Sequence, residues 1–483
     1  MIAMFLVSLV AVGVFAFGLY ITRIGSVAQN VLQQAYQGIG AMTDTQLMDD
    51  DKELAVRHAG IALFIGAWSI FWRFTLCFAM TYVPIYLADR LHIANEDEII
   101  ELMLRLDYII IVSLVLITVV WLVGRQQRAA DRLENALSYS MGERIIHMIA
   151  FASPTLQRLA AMVDDAAFRL LHRDIECRSP IFITSLARGG TTALLNAFSE
   201  LPSVATHTYC DMPFITAPYL WNRLSAPFRG KVVRRERAHG DGLEIDLDSP
   251  EAFDEVYWKL YWPEKYDEHR IIIWQADDLQ AKGTLRLQTC FQKIIHLRGR
   301  PAAHYLSKNN ANIARLRVIR RAFPGAQVVV PVRSPAPHAA SLFRQHRNFL
   351  EQQSDDDFVR RYMHDIGHLE FGLLHTPIAF EEFESTACSP DSPDYWLAYW
   401  IGAFHEVLAN IDFCHIVLQT DLRSNANSCM RHLLGKLSLD AGDRDFTPCF
   451  RREADETDRS VFSPSLLTFA DSLYTEISRK ALQ

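Results

Sequence analysis

The stretch SPIFITSLARGGTTALL, residues 179–195, sets a β-branched run against an apolar stretch at helical spacing, with two glycines and two threonines at the junction. A strand–turn–helix of this kind is the layout of a phosphate cradle. Gly189 and Gly190 let the backbone turn tightly and approach an anion with no Cβ in the way. Thr191 and Thr192 open the helix, where amides, hydroxyls and the positive end of the helix dipole hold phosphate oxygens. An ordinary β–α turn capped by threonine has the same local look. The nucleoside-triphosphate pattern GxxxxGK[ST] places lysine directly after its last glycine. Here that position is Thr191, and the nearest cation is Arg188. A triphosphate with magnesium is poorly served by such a loop. A 5′-phosphate carrying one small charged leaving group fits better.

Downstream of this loop, β-branched runs alternate with helical stretches. PIFIT (180–184), RIIIW (270–274), AQVVVPV (326–332) and HIVLQ (415–419) read as strands, and segments near 190–200, 311–323, 335–350 and 394–410 read as helices. The alternation predicts an α/β fold, a parallel sheet flanked by helices with a P-loop-like phosphate loop. Upstream, the chain has a different character. Residues 1–22 carry no charged side chain, 59–88 are interrupted only by Arg73, and 108–124 run between Asp107 and Arg125. Each is long enough, or nearly so, to cross a bilayer core of about 30 Å. Residues 1–22 lack the basic start and small-residue cleavage site of a signal peptide. Arg73 is expected to face protein or water rather than lipid.

The expected organisation is therefore a membrane region over 1–125 with about three transmembrane helices, an amphipathic helical connector over 126–177, and a catalytic domain over 178–483. In the connector, Leu133, Ala136, Leu137, Met141, Ile145, Ile146 and Ile149 recur at helical spacing. Arg125, Arg128, Arg132 and Arg144 follow the third apolar run, and Glu96, Asp97, Glu98 and Glu101 precede it. By the positive-inside rule, a multi-pass membrane protein with a cytoplasmic catalytic domain is expected. The 483 residues carry a net charge of −8, which gives no footprint for nucleic acid. Eight scattered cysteines suggest neither a zinc site nor a disulfide framework.

PIFITSLARGGTTALL resembles the 5′-phosphosulfate loop of sulfotransferases that use 3′-phosphoadenylyl sulfate (PAPS). Their common form after the strand is Pro-Arg/Lys-Ser-Gly-Thr-Thr; Ala187 replaces the proline and Gly189 the serine. FPGAQVVVPVRSPAPHAASL (323–342) resembles the same family's 3′-phosphate motif, a strand followed by an arginine and, on the next helix, a serine. Those positions are Arg333 and Ser341. A guanidinium fork suits a terminal phosphate dianion. HYLSKNNANIARL resembles the family's strand-Leu-Lys-x-Pro segment, with Lys308 beside the transferring group and Asn309 and Asn310 departing from the pattern. HIVLQTDL and YWLAYW are further echoes, and the family's glycine-rich C-terminal motif is not visible.

The resemblance covers about 178–425. It implies transfer of a sulfuryl group from PAPS, as co-substrate, to a hydroxyl or amine, and the membrane region, by proximity, points to a lipid or glycan acceptor. It implies cofactor contacts from Arg188, Gly189, Gly190, Thr191, Thr192, Arg333 and Ser341. Sulfuryl transfer, like phosphoryl transfer, shifts charge to the leaving phosphate. Arg188 and Lys308 are the cations expected there, and no metal is required. The acceptor needs a general base. Family members carry theirs after the strand that follows the loop helix, which points here to Asp211 and His207, with His239 and Asp241 on a later glycine turn. Two other readings remain open: a P-loop-type kinase, and a membrane protein that binds PAPS or its product without turnover. The oligomeric state is not legible.

Overall fold

In this computed structural model the described residues are 2–22, 49–105, 141–172, 178–226, 247–251, 253–300, 303–384, 389–450 and 457–481, with a few short pieces between them. The chain separates into two units, Met1–Glu134 and Asn135–Gln483.

The first unit holds α1 (Ile2–Ile21), α2 (Asp49–Arg90) and α3 (Glu96–Leu104). Among the described residues one helix is long and apolar enough to cross a bilayer, over Ala59–Arg90. Its 32 residues rise roughly 48 Å at 1.5 Å each. Phe64, Ile65, Trp68, Phe71 and Phe78 stand exposed along it. The apolar part of α1, Ala3–Leu19, is shorter. Phe15 meets Phe78 with centroids 5.2 Å apart, and Gly18 lets Cys77 approach closely, since a Cβ there would lie 3.1 Å from its Sγ. Arg73 donates from Nε to the Thr22 carbonyl at 3.1 Å. A cation placed at the end of α1 meets carbonyls that have no partner within the helix, so the one arginine of the apolar run has a local structural partner. The third apolar run, 108–124, lies almost wholly outside the described residues.

The second unit is built on a five-stranded parallel sheet in the order β2–β5–β1–β6–β7. Its strands are β1 (Arg178–Ile183), β2 (Val204–Ala205), β5 (His304–Lys308), β6 (Gln327–Val332) and β7 (Cys414–Leu418); β3 (Arg235–Glu236) and β4 (Glu244–Ile245) form a separate pair. Alternate residues serve opposite cores. Phe182, Tyr305, Val328, Val330 and Ile416 face one, and Ile181, Ile183, Leu306, Val329 and Val417 face the other. A sheet buried on both sides explains why these strands read as continuous apolar runs.

The helices of this unit are α4 (Met141–Ala150), α5 (Pro154–Leu171), α6 (Thr191–Ser199), α7 (Pro218–Ser225), α8 (Glu255–Tyr261), α9 (Ala281–Leu297), α10 (Leu316–Ala322), α11 (Pro335–Asp355), α12 (Asp357–Ile366), α13 (Pro393–Ala409), α14 (Gln419–Ser424), α15 (Ala426–Lys436) and α16 (Pro464–Ser478). Helices α9, α10 and α13 cover the Phe182 face, and α6 and α15 the other.

The expected strand at 270–274 does not form. Ile271 donates to Pro377, Ile272 to Lys265 and Trp274 to Ala314, so this apolar run ties three segments together instead of laddering with one. The expected connector also differs in form. Ser153 caps α5 by accepting from Leu156 N–H, and Pro154 takes its first turn, which breaks the segment into two helices. Both belong to the second unit and are tied to the rest of it through Arg144–Asp356, His147–Asp365 and a buried cluster of Asp164, Asp165, Lys293 and Arg286.

Candidate active site

Strand order places β1 at the centre, with the chain crossing to β2 and β5 on one side and to β6 and β7 on the other. Ligands of open α/β sheets bind beyond the carboxyl ends of the strands at such a reversal. Here the loop after β1, the last residue of β5 and the residue after β6 share a cleft of about 310 Å³. Arg188, Gly190, Thr191, Thr192, Lys308 and Arg333 are all on its walls.

The loop is held from below and from α11. Thr184 donates to the Val329 carbonyl at 3.0 Å, and Ser185 is fully buried. A Cβ on Gly189 would fall 2.8 Å from Ser185 Oγ and 2.9 Å from the Leu186 carbonyl, so only glycine fits. Gly190 caps α6 with φ 101°, a left-handed conformation that glycine adopts without strain. Arg188 also sits in the left-handed region, at φ 65°. A residue with a Cβ keeps such a conformation only when its surroundings fix it. They do so here: Arg188 Nε donates to Ser341 Oγ at 3.3 Å, Arg333 Nη1 donates to the Arg188 carbonyl at 3.2 Å, and His338 Nε2 lies 2.8 Å from the Ala187 carbonyl. Ser341 accepts from Arg188 through Oγ, which leaves its hydroxyl proton available to a ligand.

Lys308 is directed by its neighbours. Successive strand residues point to opposite sides. Ser307 donates to Asp254 at 2.6 Å and Asn309 to Glu255 at 2.6 Å. Glu255 is gripped by the buried Arg315, itself sandwiched between Trp258 and Trp274. With both flanking residues fixed on one side, Lys308 faces the other and reaches the cleft. Its Nζ lies 3.7 Å from Glu251 Oε1.

The expected bases are elsewhere. Asp211 is fully buried and not on the cleft wall. It accepts from Arg298 Nη2 at 2.5 Å, Asn222 Nδ2 at 3.0 Å and the Thr208 amide at 3.1 Å, and His207 Nδ1 lies 2.9 Å away. Burial alone would raise its pKa, but Arg298 and then His207 outweigh that and hold the carboxyl at about 2. For His207, burial disfavours the charged ring, yet Cys290 on one side and Asp211 on the other raise it to about 10. The pair is a buried, hydrogen-bonded ion cluster and is not among the residues that line the cleft. His239 and Asp241 lie outside the described residues.

A stability prediction follows from these shifts. The Asp211 contribution is complete above the ordinary 3.8 and is lost as pH falls through about 2. That of His207 is complete below the ordinary 6.5 and is lost as pH rises through about 10. Unfolding free energy should therefore decline between pH 6.5 and 10, and the decline should flatten in His207→Gln. Asp211→Ala should cost about 3–5 kcal/mol, as for breaking one side of a buried pair. Denaturant titrations of both variants check this, and an Asp211→Ala protein of unchanged stability would contradict it.

What the cleft does contain, unforeseen from the sequence, is a histidine–carboxylate pair. His368 and Glu370 line it, with His368 Nδ1 3.6 Å from Glu370 Oε2. Glu370 Oε1 accepts from Asn310 Nδ2 at 2.9 Å, and Asn310 Oδ1 accepts from Thr191 Oγ1 at 3.3 Å. Against the upward push of burial, His368 and Asn310 hold the Glu370 carboxyl at about 2. A hydrogen-bonded path thus runs from the phosphate loop to an anionic carboxylate facing an imidazole. A carboxylate beside an imidazole is an arrangement suited to proton transfer. Among the described residues no group of three or more His, Cys, Asp or Glu side chains is placed to hold a metal ion.

No curated protein matches the chain in sequence. Among solved structures, the chain is similar to the sulfotransferase STF1 of Mycobacterium tuberculosis H37Rv, with 13% identity over 67% of this chain and 83% of that one and a TM-score of 0.41. It is also similar to the sulfotransferase STF9 of Mycobacterium avium, with 11% identity over 65% and 81% and a TM-score of 0.39. Residues 180–373, from the start of β1 past the His368–Glu370 side of the cleft, match the family model described as Sulfotransferase family.

Proposed function

We propose that the cleft transfers a sulfuryl group from PAPS to a hydroxyl, or an amine, of a lipid or glycan acceptor. We place it at the cytoplasmic face of a membrane in which the first unit is anchored. The observation that carries the reading is the meeting of the lysine-free loop, Lys308 and Arg333 at the carboxyl ends of three adjacent strands. The family match over 180–373 supports the transferase class.

The residues suit the nucleotide. The first amides of α6 and the hydroxyls of Thr191 and Thr192 cradle its 5′-phosphate. Arg333, beyond β6, takes the 3′-phosphate. PAPS supplies the activated sulfuryl group. As the acceptor oxygen bonds to sulfur, the bond from sulfur to the 5′-phosphate oxygen breaks. The acceptor proton passes to His368, oriented by Glu370. Lys308 and the loop amides meet the charge left on the phosphate. Arg188 keeps the loop in shape and adds positive charge to the same wall. The long apolar helix over Ala59–Arg90 favours an acceptor reached at a bilayer. A reporter fused after residue 130 should be active only on the cytoplasmic side, and activity on the far side would overturn the orientation.

Arg333 gives the test of the nucleotide. Arg333→Ala should weaken binding of PAPS and of 3′-phosphoadenosine 5′-phosphate by about 2–3 kcal/mol, the scale of a charge-assisted hydrogen bond. Adenosine 5′-phosphosulfate, which lacks the 3′-phosphate, should be little affected. Equal losses for both nucleotides in titration calorimetry would mean that Arg333 acts only through its bond to the Arg188 carbonyl.

A further inference from the structure

Asn310 joins the two halves of the cleft. It opens the 3-10 turn Asn310–Arg315 that follows β5. The turn is fixed from beneath by Asn309, whose side chain accepts from the Ala311 amide at 3.0 Å and donates to Glu255 at 2.6 Å. Both ends of the loop after β1 converge on Asn310. Thr184 Oγ1, at the foot of the loop, donates to the Asn310 carbonyl at 3.3 Å. Thr191 Oγ1, at the far end, donates to Asn310 Oδ1, also at 3.3 Å. The other end of the side chain donates from Nδ2 to Glu370 Oε1 at 2.9 Å. Chemistry dictates which way the amide turns: a carboxylate only accepts, so Nδ2 faces Glu370 and Oδ1 faces the threonine. The proline of the resembled Leu-Lys-x-Pro segment has no polar side-chain atom to make either bond.

Glu370 needs such a hold. Among the described residues it is the one carboxylate lining walls that also carry Arg188, Lys308, Arg333 and Arg423. A carboxylate in that company is drawn to a cation, and pairing with one would use up its charge. Its side chain is instead tied to Asn310 and lies 3.6 Å from His368 Nδ1. Asn310 is neutral, so it fixes the carboxylate in place and leaves its charge to face the imidazole.

We infer that Asn310 is a positioning residue: it holds Glu370 beside His368 and away from the cations of the cleft, in register with the loop that takes the nucleotide. This deepens the reading of His368 as the base and rests on it.

The test compares four forms of the full chain in detergent micelles: wild type, Asn310→Ala, Glu370→Gln and the double variant. Alanine at 310 removes only the side-chain bonds, because Thr184 donates to the main-chain carbonyl. The pKa of His368 is read by NMR titration of histidine-labelled protein, its resonance assigned by its absence in His368→Gln. A nearby carboxylate raises the pKa of an imidazole, so releasing Glu370 lowers it. Asn310→Ala should bring it down by on the order of 1 pH unit, to its value in Glu370→Gln, and the double variant should go no lower. Turnover should fall in step by about 10- to 100-fold, the scale of a misplaced catalytic group, with nucleotide affinity little changed. A His368 pKa in Asn310→Ala at or above that of the wild type overturns the inference and leaves sulfuryl transfer intact. So do losses of kcat that multiply in the double variant. Coupled pKa shifts in a protein that transfers no sulfuryl group uphold the hold on Glu370 and overturn the reading of the cleft.

Discussion

Replacing Lys308 by alanine should lower kcat on the order of 100- to 1000-fold while binding of 3′-phosphoadenosine 5′-phosphate changes little. This is the scale of losing one preorganised donor to an oxyanion that develops in the transition state. The loss falls on kcat because the charge at the leaving oxygen is small in the ground state and grows as the sulfur–oxygen bond lengthens. Lys308 is only 6% exposed and lies 3.7 Å from Glu251, itself 3% exposed, so the single variant also perturbs a buried charge pair. The double variant Lys308→Ala/Glu251→Gln separates the two effects: its stability should recover and its turnover should not. Turnover that returns together with stability would make Lys308 a structural partner of Glu251.

His368→Ala should lower kcat by about 100- to 10,000-fold, the range for removing a positioned general base. Free imidazole in the buffer should restore part of the rate. Glu370→Gln should have a smaller effect, because it keeps the hydrogen-bonding shape and removes only the charge that orients the ring. Single-turnover measurements with saturating PAPS read the step directly, since nucleotide binding then no longer contributes. A His368→Ala enzyme with wild-type turnover would assign the proton to another acceptor.

The contrast between His368 and the expected bases marks what sequence carries and what it does not. The loop after β1 is legible because its requirements are local: Gly189 is demanded by atoms of Ser185 and Leu186, within four residues of it. The place of Arg333 is legible for the same reason, directly after a strand whose apolar run is unmistakable. Asp211 and His207 have the right residue types after the right strand, but Arg298 and Asn222, which consume the carboxylate, arrive from α9 and α7. No local pattern announces that. His368 and Glu370 gain their meaning only when Asn310 connects them to Thr191, across 60 and 119 residues of chain. The apolar run at 270–274 misleads because hydrophobicity reports burial, not pairing. Helix α5 misleads in the opposite way: its period is plain, but which of its faces turns inward is decided by Lys293 and Arg286 on α9.

The central claim is sulfuryl transfer from PAPS by this cleft, and the direct measurement is the fate of labelled sulfate. The purified full chain is incubated with 35S-labelled PAPS and a membrane extract, and lipid and glycan fractions are counted alongside released nucleotide. Label should enter one of those fractions in step with formation of 3′-phosphoadenosine 5′-phosphate, and Lys308→Ala should abolish both. Tight binding of PAPS with no label in any fraction would contradict the account in favour of a binding protein, and transfer of phosphate from ATP in its place would contradict it in favour of a kinase.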